Sequence, residues 1–96
     1  MTIAVSTQWG ENFSRFAYFR IDAGKVREEE EAPVAPGGVE ALVKQLIGLE
    51  VDLIIASRMA QSVEQRLREA GINVISGIDG RAASVMSAYL RGELAF

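Results

Sequence analysis

The sequence predicts one α/β domain on a mixed sheet, and three observations point there. The first third is strand-like and folds back through a turn. After Gly37 the chain alternates helical and strand-like segments. At 96 residues and 49% apolar content, it can build one core and not two. The order read from these segments is β-β-β-α-β-α-β-α: five strands, of which the N-terminal ones pair antiparallel, and three helices. Alternation of helix and strand favours crossover connections and parallel neighbours in the second part of the sheet. No repeat, linker or low-complexity boundary divides residues 1–96.

Each element has its own warrant. Ile3-Ala4-Val5 is a short apolar run that ends in the polar loop Ser6–Glu11. Residues Phe16 to Ile21 are aromatic and β-branched enough for a strand. Asp22-Ala23-Gly24-Lys25 carries turn chemistry, with Gly24 expected at positive φ. Val26 to Ala32 returns as the second arm of a hairpin. Its run Glu28–Glu31 suits an exposed edge strand, where like charges discourage pairing with another chain. An acidic metal tract is the weaker reading, because successive strand residues point to opposite faces.

Pro33 and Pro36 punctuate the middle, and Gly37-Gly38 opens a helix. Val39, Leu42, Val43, Leu46 and Ile47 follow helical spacing for one apolar stripe, with Gly48 as its end. Asp52–Ala56 is a compact apolar run, the mark of a buried parallel strand. A second helix is expected from about Met59 to Ala70, with Met59, Val63 and Leu67 inward and Gly71 as its stop. Ser62 and Gln65 offer a capping box for it. Ile72–Ile75 is the last strand. Asp79 then reads as the N-cap of a third helix running to Arg91, closed by Gly92, with Val85, Met86, Tyr89 and Leu90 inward. The three Met residues read as packing rather than as ligands.

Composition excludes much chemistry. The chain has no Cys and no His, so disulfides, thiolate nucleophiles, thiolate or imidazole metal sites and a histidine base are all missing. A formal charge of −3 argues against non-specific nucleic-acid binding. The opening residues do not read as a secretory signal, and the longest apolar run is far too short for a membrane span. The expectation is a cytoplasmic protein without a membrane or nucleic-acid partner. An RNase H-type nuclease is disfavoured, since its two-metal chemistry needs converging carboxylates and the opening strand supplies none. Asp22 and Asp79 read as turn and cap, and Asp52 lies at the wrong end of its strand.

In sheets of this kind ligands collect at the carboxyl ends of strands, near helix N-termini. The loops Ser6–Arg15, Pro36–Val39 and Ser57–Ala60 are therefore the expected rim of a site. These loops carry a resemblance. Ile3-Ala4-Val5-Ser6, Glu11-Asn12-Phe13-Ser14-Arg15-Phe16-Ala17-Tyr18-Phe19, Pro36-Gly37-Gly38-Val39, Asp52–Met59, Leu67–Ile72 and Tyr89–Leu94 together resemble the dinitrogenase iron-molybdenum cofactor biosynthesis family. The resemblance implies an RNase H-like three-layer domain and a role as a nitrogen-fixation accessory or cofactor carrier. Phe13, Arg15, Tyr18 and Phe19 match the family's first loop. Asn12 stands where that loop usually has His, Ser14 where it has Gly, Phe16 where it has a small residue and Ala17 where it has Pro. Ser57 and Ala60 occupy positions that tend to be Gly.

A carboxamide oxygen is a hard, weak donor, so Asn12 is a poor substitute for imidazole toward an iron or molybdenum cluster. What the motif retains is an anion-binding set. Arg15 and Arg58 supply guanidinium groups, the amides after Gly37-Gly38 carry positive partial charge, and Asn12, Ser14 and Ser57 add hydrogen-bonding groups. Taken singly, each of these also has a structural reading as a surface ion pair or a turn, and Trp9 reads first as packing. The resemblance implies a non-enzymatic carrier of an iron-sulfur or molybdenum-containing cluster, or of its precursor. The cargo would be held non-covalently with no catalytic or metal-ligating residue, and metallocluster-assembly proteins would be the partners. The alternative is a degenerate member acting as an interaction or regulatory module without cofactor. A free edge strand and the apolar tail Leu94-Ala95-Phe96 are compatible with a homodimer.

Overall fold

The computed structural model describes residues 1–6, 15–57, 59–78 and 81–92. Eight elements follow one another: β1 (Thr2–Ser6), β2 (Arg15–Asp22), β3 (Lys25–Pro33), α1 (Gly38–Gly48), β4 (Val51–Ala56), α2 (Gln61–Glu69), β5 (Asn73–Ile75) and α3 (Ala82–Leu90). The five strands form one sheet in the order β3-β2-β1-β4-β5. β3, β2 and β1 are antiparallel, whereas β1, β4 and β5 are parallel. This is the mixed five-stranded sheet with an antiparallel N-terminal part that the sequence predicts.

Alternation along the strands divides the core between the two faces of the sheet. Ala4, Phe16 and Ile54 point to one face, where Leu42, Val43 and Leu46 of α1 and Leu67 of α2 cover them. Ile3, Val5, Phe19, Leu53 and Ile55 point to the other, beneath Val85 and Met86 of α3. Two helices on one face and one on the other make three layers. Burial on both faces is why β1 and β4 read as unbroken apolar runs rather than as alternating ones.

The β2–β3 hairpin turns through Ala23 (φ 52°) and Gly24 (φ 75°). Positive φ at both central residues is the type I′ pattern, whose twist matches the flanking strands. β3 is an edge strand, and Glu28–Glu31 are exposed on it. Arg20 pairs with Glu28 at 3.2 Å, and the Tyr18 hydroxyl donates to Glu30. Glu28 and Glu30, two residues apart, share one face of the strand and each meets its cross-strand partner there, while Glu29 and Glu31 alternate to the other face. At the far end of the sheet, the β1–β4 register shifts between Thr2 and Ile3, and the Asp52 carboxylate accepts the Thr2 N–H at 2.9 Å. The side chain replaces a ladder partner that the irregularity removes.

Several sequence expectations need correction. Ile47 is 53% exposed and Leu90 38% exposed, so neither faces inward. Both sit five residues after the first buried residue of their stripe (Leu42 and Val85). Five residues is about 140° around the helix, roughly 40° past the arc that the sheet covers. Met1 is exposed rather than packed in the core, whereas Met86 is buried and Met59 packs against the first cluster. α2 starts at Gln61 behind an Ala60 N-cap, which places Ser62 inside the helix and removes the expected capping box. α3 starts at Ala82 with Arg81 at the N-cap; Asp79 lies outside the described residues.

The helix stops follow expectation better. After α2 the Ile72 N–H donates to the Leu67 carbonyl and the Gly71 N–H to that of Arg68, both at 3.0 Å, with Gly71 at φ 88°. This is a Schellman stop, and buried Ile72 and Leu67 add its usual apolar contact. Gly92, at φ 76°, closes α3. α1 is different: Gly48 is its last helical residue, and the left-handed position falls on Glu50 at φ 59°. No helix among the described residues is long and apolar enough to cross a membrane.

Candidate functional site

Strand register brings the predicted loops to one end of the sheet. Ser6, at the end of β1, is level with Ala56 at the end of β4. Val5 pairs with Ala17 and Arg15 with Pro33, so β2 begins and β3 finishes at that same end. The backbone past β5 stays there as well. Ile78 N–H donates to the Ala56 carbonyl and Gly77 N–H to that of Ser57, each at 3.2 Å. α1, α2 and α3 follow β3, β4 and β5, so each helix starts at this rim and runs away from it.

None of the three N-cap residues, Gly37, Ala60 and Arg81, makes a side-chain cap hydrogen bond. Their side chains contain no acceptor, so the helix starts lack a side-chain cap and keep their positive partial charge, although in α2 the Val63 N–H reaches the Ala60 carbonyl at 3.0 Å. The acidic residues of those first turns are neutralised. Glu40 of α1 takes a two-pronged contact from Arg66 of α2, at 2.6 Å through Nε and 2.8 Å through Nη2. The hydrogen bond from Arg66 holds the Glu40 carboxyl below the usual carboxylate range, and the guanidinium is raised in turn. Glu64 of α2 pairs with Arg68 at 2.9 Å. No acidic residue lies in the first turn of α3.

The predicted site residues fall out as follows. Gly37 (φ 115°) is the N-cap of α1 and Gly38 (φ 83°) its first residue. Both positions need backbone that side-chain-bearing residues rarely adopt, and a Cβ on Gly37 would sit 3.1 Å from that of Ala41. The glycines are thus required by the turn whatever else they do. Arg15 opens β2 opposite Pro33; its side chain, like Asn12, Ser14 and Arg58, lies outside the described residues, as does Trp9. Ser57 is half-buried, and its amide is already committed to the Ser6 carbonyl at 3.2 Å. Only its hydroxyl remains for a ligand. Tyr18 and Phe19 of the motif are packing residues: Phe19 is buried under α3, and Tyr18 lies against Phe16 on the other face, ring centroids 6.1 Å apart.

Two residues of the rim escape a sequence reading. Arg81 adds a cation at the α3 N-terminus, hidden by the expectation that Asp79 caps the helix. Gln45 of α1 is half-buried and reaches back to the connector before its own helix. Its Oε1 accepts the Ala35 N–H at 2.9 Å, and its Nε2 donates to the Pro33 carbonyl at 2.8 Å. The available signal was a long polar residue beside Leu42 and Leu46, three residues past one and one before the other.

The donor chemistry limits what this rim can hold. The chain has no thiolate or imidazole. Of its thioethers, Met86 is buried and Met59 packs against the core, while Met1 sits beside Ile21 at the opposite end of the sheet. Among the described residues no group of three or more carboxylates could hold a metal ion. This donor set does not fit a directly ligated iron or molybdenum cluster.

Fold and rim define a small three-layer α/β domain with its polar edge at the carboxyl ends of parallel strands. The chain belongs to the dinitrogenase iron-molybdenum cofactor family, whose model matches residues 11–92. That span takes in Glu11–Arg15, Pro36–Val39 and Ser57–Ala60. A solved structure described as the crystal structure of PH0822 shares the fold, with a TM-score of 0.83 over 100% of this chain and 96% of that one, at 19% identity. No curated protein matches the chain significantly.

Proposed function

We propose that this protein is a non-enzymatic binding protein. It holds an anionic metallocluster or thiometallate precursor at the carboxyl edge of its sheet, by charge and hydrogen bonds rather than by covalent ligation. The observation that carries this reading is the shared location of three helix N-termini whose N-cap side chains offer no acceptor. Family membership supplies the class of ligand. Arg15 and Arg58 are the guanidinium contacts in this reading, with the Gly37-Gly38 turn, the Ser57 hydroxyl, Asn12 and Ser14 completing the rim. Delivery to metallocluster-assembly proteins in the cytoplasm is the role that follows.

Anaerobic titration with tetrathiomolybdate, followed by its visible absorption, tests the proposal. The wild-type protein is expected to bind. Arg15→Ala and Arg58→Ala are each expected to weaken binding about tenfold or more, since a hydrogen bond to a charged group contributes about 1.5–3 kcal/mol. Absence of binding above background would refute the carrier reading. It would favour the second one, an interaction or regulatory module without cofactor, to which the lack of soft donors already points.

A further inference from the structure

We propose that Gln45 is a positioning residue for the rim, fixing the Gly37-Gly38 turn relative to the strand end that carries Arg15. The inference rests on the carrier reading and adds to it a residue that touches no ligand. The Gln45 carboxamide uses one end on the Pro33 carbonyl and the other on the Ala35 amide. Pro33 is the cross-strand partner of Arg15, and Ala35 is two residues before the Gly37 N-cap. One rigid, planar group therefore ties the second turn of α1 to the end of β3 and to the connector between them. The two parts of the rim belong to different structural units, a hairpin end and a helix start. Positive φ at both glycines lets the turn form, but nothing in two glycines selects where it points.

The Gln45 side chain holds that choice through two bonds that a shorter or apolar side chain cannot make together. Asn is one methylene too short to span them, and Glu at neutral pH keeps the acceptor but loses the donor. A preorganised donor set binds its anion without the ordering cost that a loose one incurs.

The test compares wild type with Gln45→Ala and Val51→Ala. Val51 is a buried residue at the opposite end of the sheet and controls for lost stability. Tetrathiomolybdate affinity is measured at a temperature where all three proteins are folded, and the Gly37 and Gly38 amide resonances are followed during the titration. Gln45→Ala is expected to bind at least fivefold more weakly, with the glycine amide shifts on ligand addition reduced. Val51→Ala is expected to retain wild-type affinity and shifts. Unchanged affinity and glycine shifts in Gln45→Ala, with wild type binding normally, would overturn the positioning role alone. Equal losses in both variants would overturn it too, by reducing the effect to stability. Failure of wild type to bind would remove the carrier reading and this inference together.

Discussion

Glu50, like Ala23 in the hairpin turn, has a conformation its identity does not explain. It holds φ at 59° just after α1, where its N–H donates to the Ile47 carbonyl at 2.9 Å. A left-handed residue other than Gly costs about 1–2 kcal/mol through the clash of its Cβ with backbone. Glycine recovers that cost but loses part of it to greater freedom in the unfolded chain, about 0.5–1 kcal/mol. Glu50→Gly is therefore expected to raise unfolding stability by roughly 0.5–1 kcal/mol, read as a shift in the urea midpoint with an unchanged slope. This also shows where legibility fails at the scale of one residue. Gly24, Gly71 and Gly92 announced their turns because glycine is the residue that tolerates them. Glu50 announced nothing: Gly48 marks the end of α1 correctly, but no residue type signals the left-handed position two residues on.

The elements were more legible than their edges. Apolar runs, β-branched and aromatic content, turn residues and helical spacing point to the five strands and three helices, because burial against the sheet imposes those patterns on the sequence. Their starts were not legible for α2 and α3. Ser62 and Asp79 are good caps in isolation, yet the helices begin behind Ala60 and Arg81. Local propensity gave way to where the crossover chain reaches the rim. Contacts between elements are likewise absent from a one-dimensional pattern: Glu40 and Arg66 are 26 positions apart and join α1 to α2. Since Arg66 holds the Glu40 carboxyl below its ordinary value of 4.5, the pair stabilises the fold above that value and loses its effect as pH falls through the lowered one. Both groups are exposed, so the contribution is small and screened by salt. Glu40→Gln should melt slightly below wild type near neutral pH, with the gap closing at acid pH and at high salt. A gap independent of pH would place the stabilisation elsewhere.

At the scale of the molecule, the mixed α/β sheet could be read from element order, and its three layers from the family resemblance. The carboxyl edge could be named in advance because parallel strands and crossover helices always leave helix starts there. Its fine structure could not. Gln45 acts on residues 10 and 12 positions earlier, and Ser57 turns out to have its amide in use. The order β3-β2-β1-β4-β5 also bears on how the chain is made. β1 lies in the middle of the sheet, and its second neighbour is β4, Val51–Ala56. A ribosome delivers β1, β2 and β3 first, so a meander emerges in which β1 is still an edge strand, offering Ile3, Ala4 and Val5 along an open side. That side stays unsealed until β4 leaves the exit tunnel. Chains stalled with Gly48 just outside the tunnel should therefore recruit chaperones or self-associate, while chains stalled with Ala56 clear of it do so less, a difference that crosslinking of arrested nascent chains can measure.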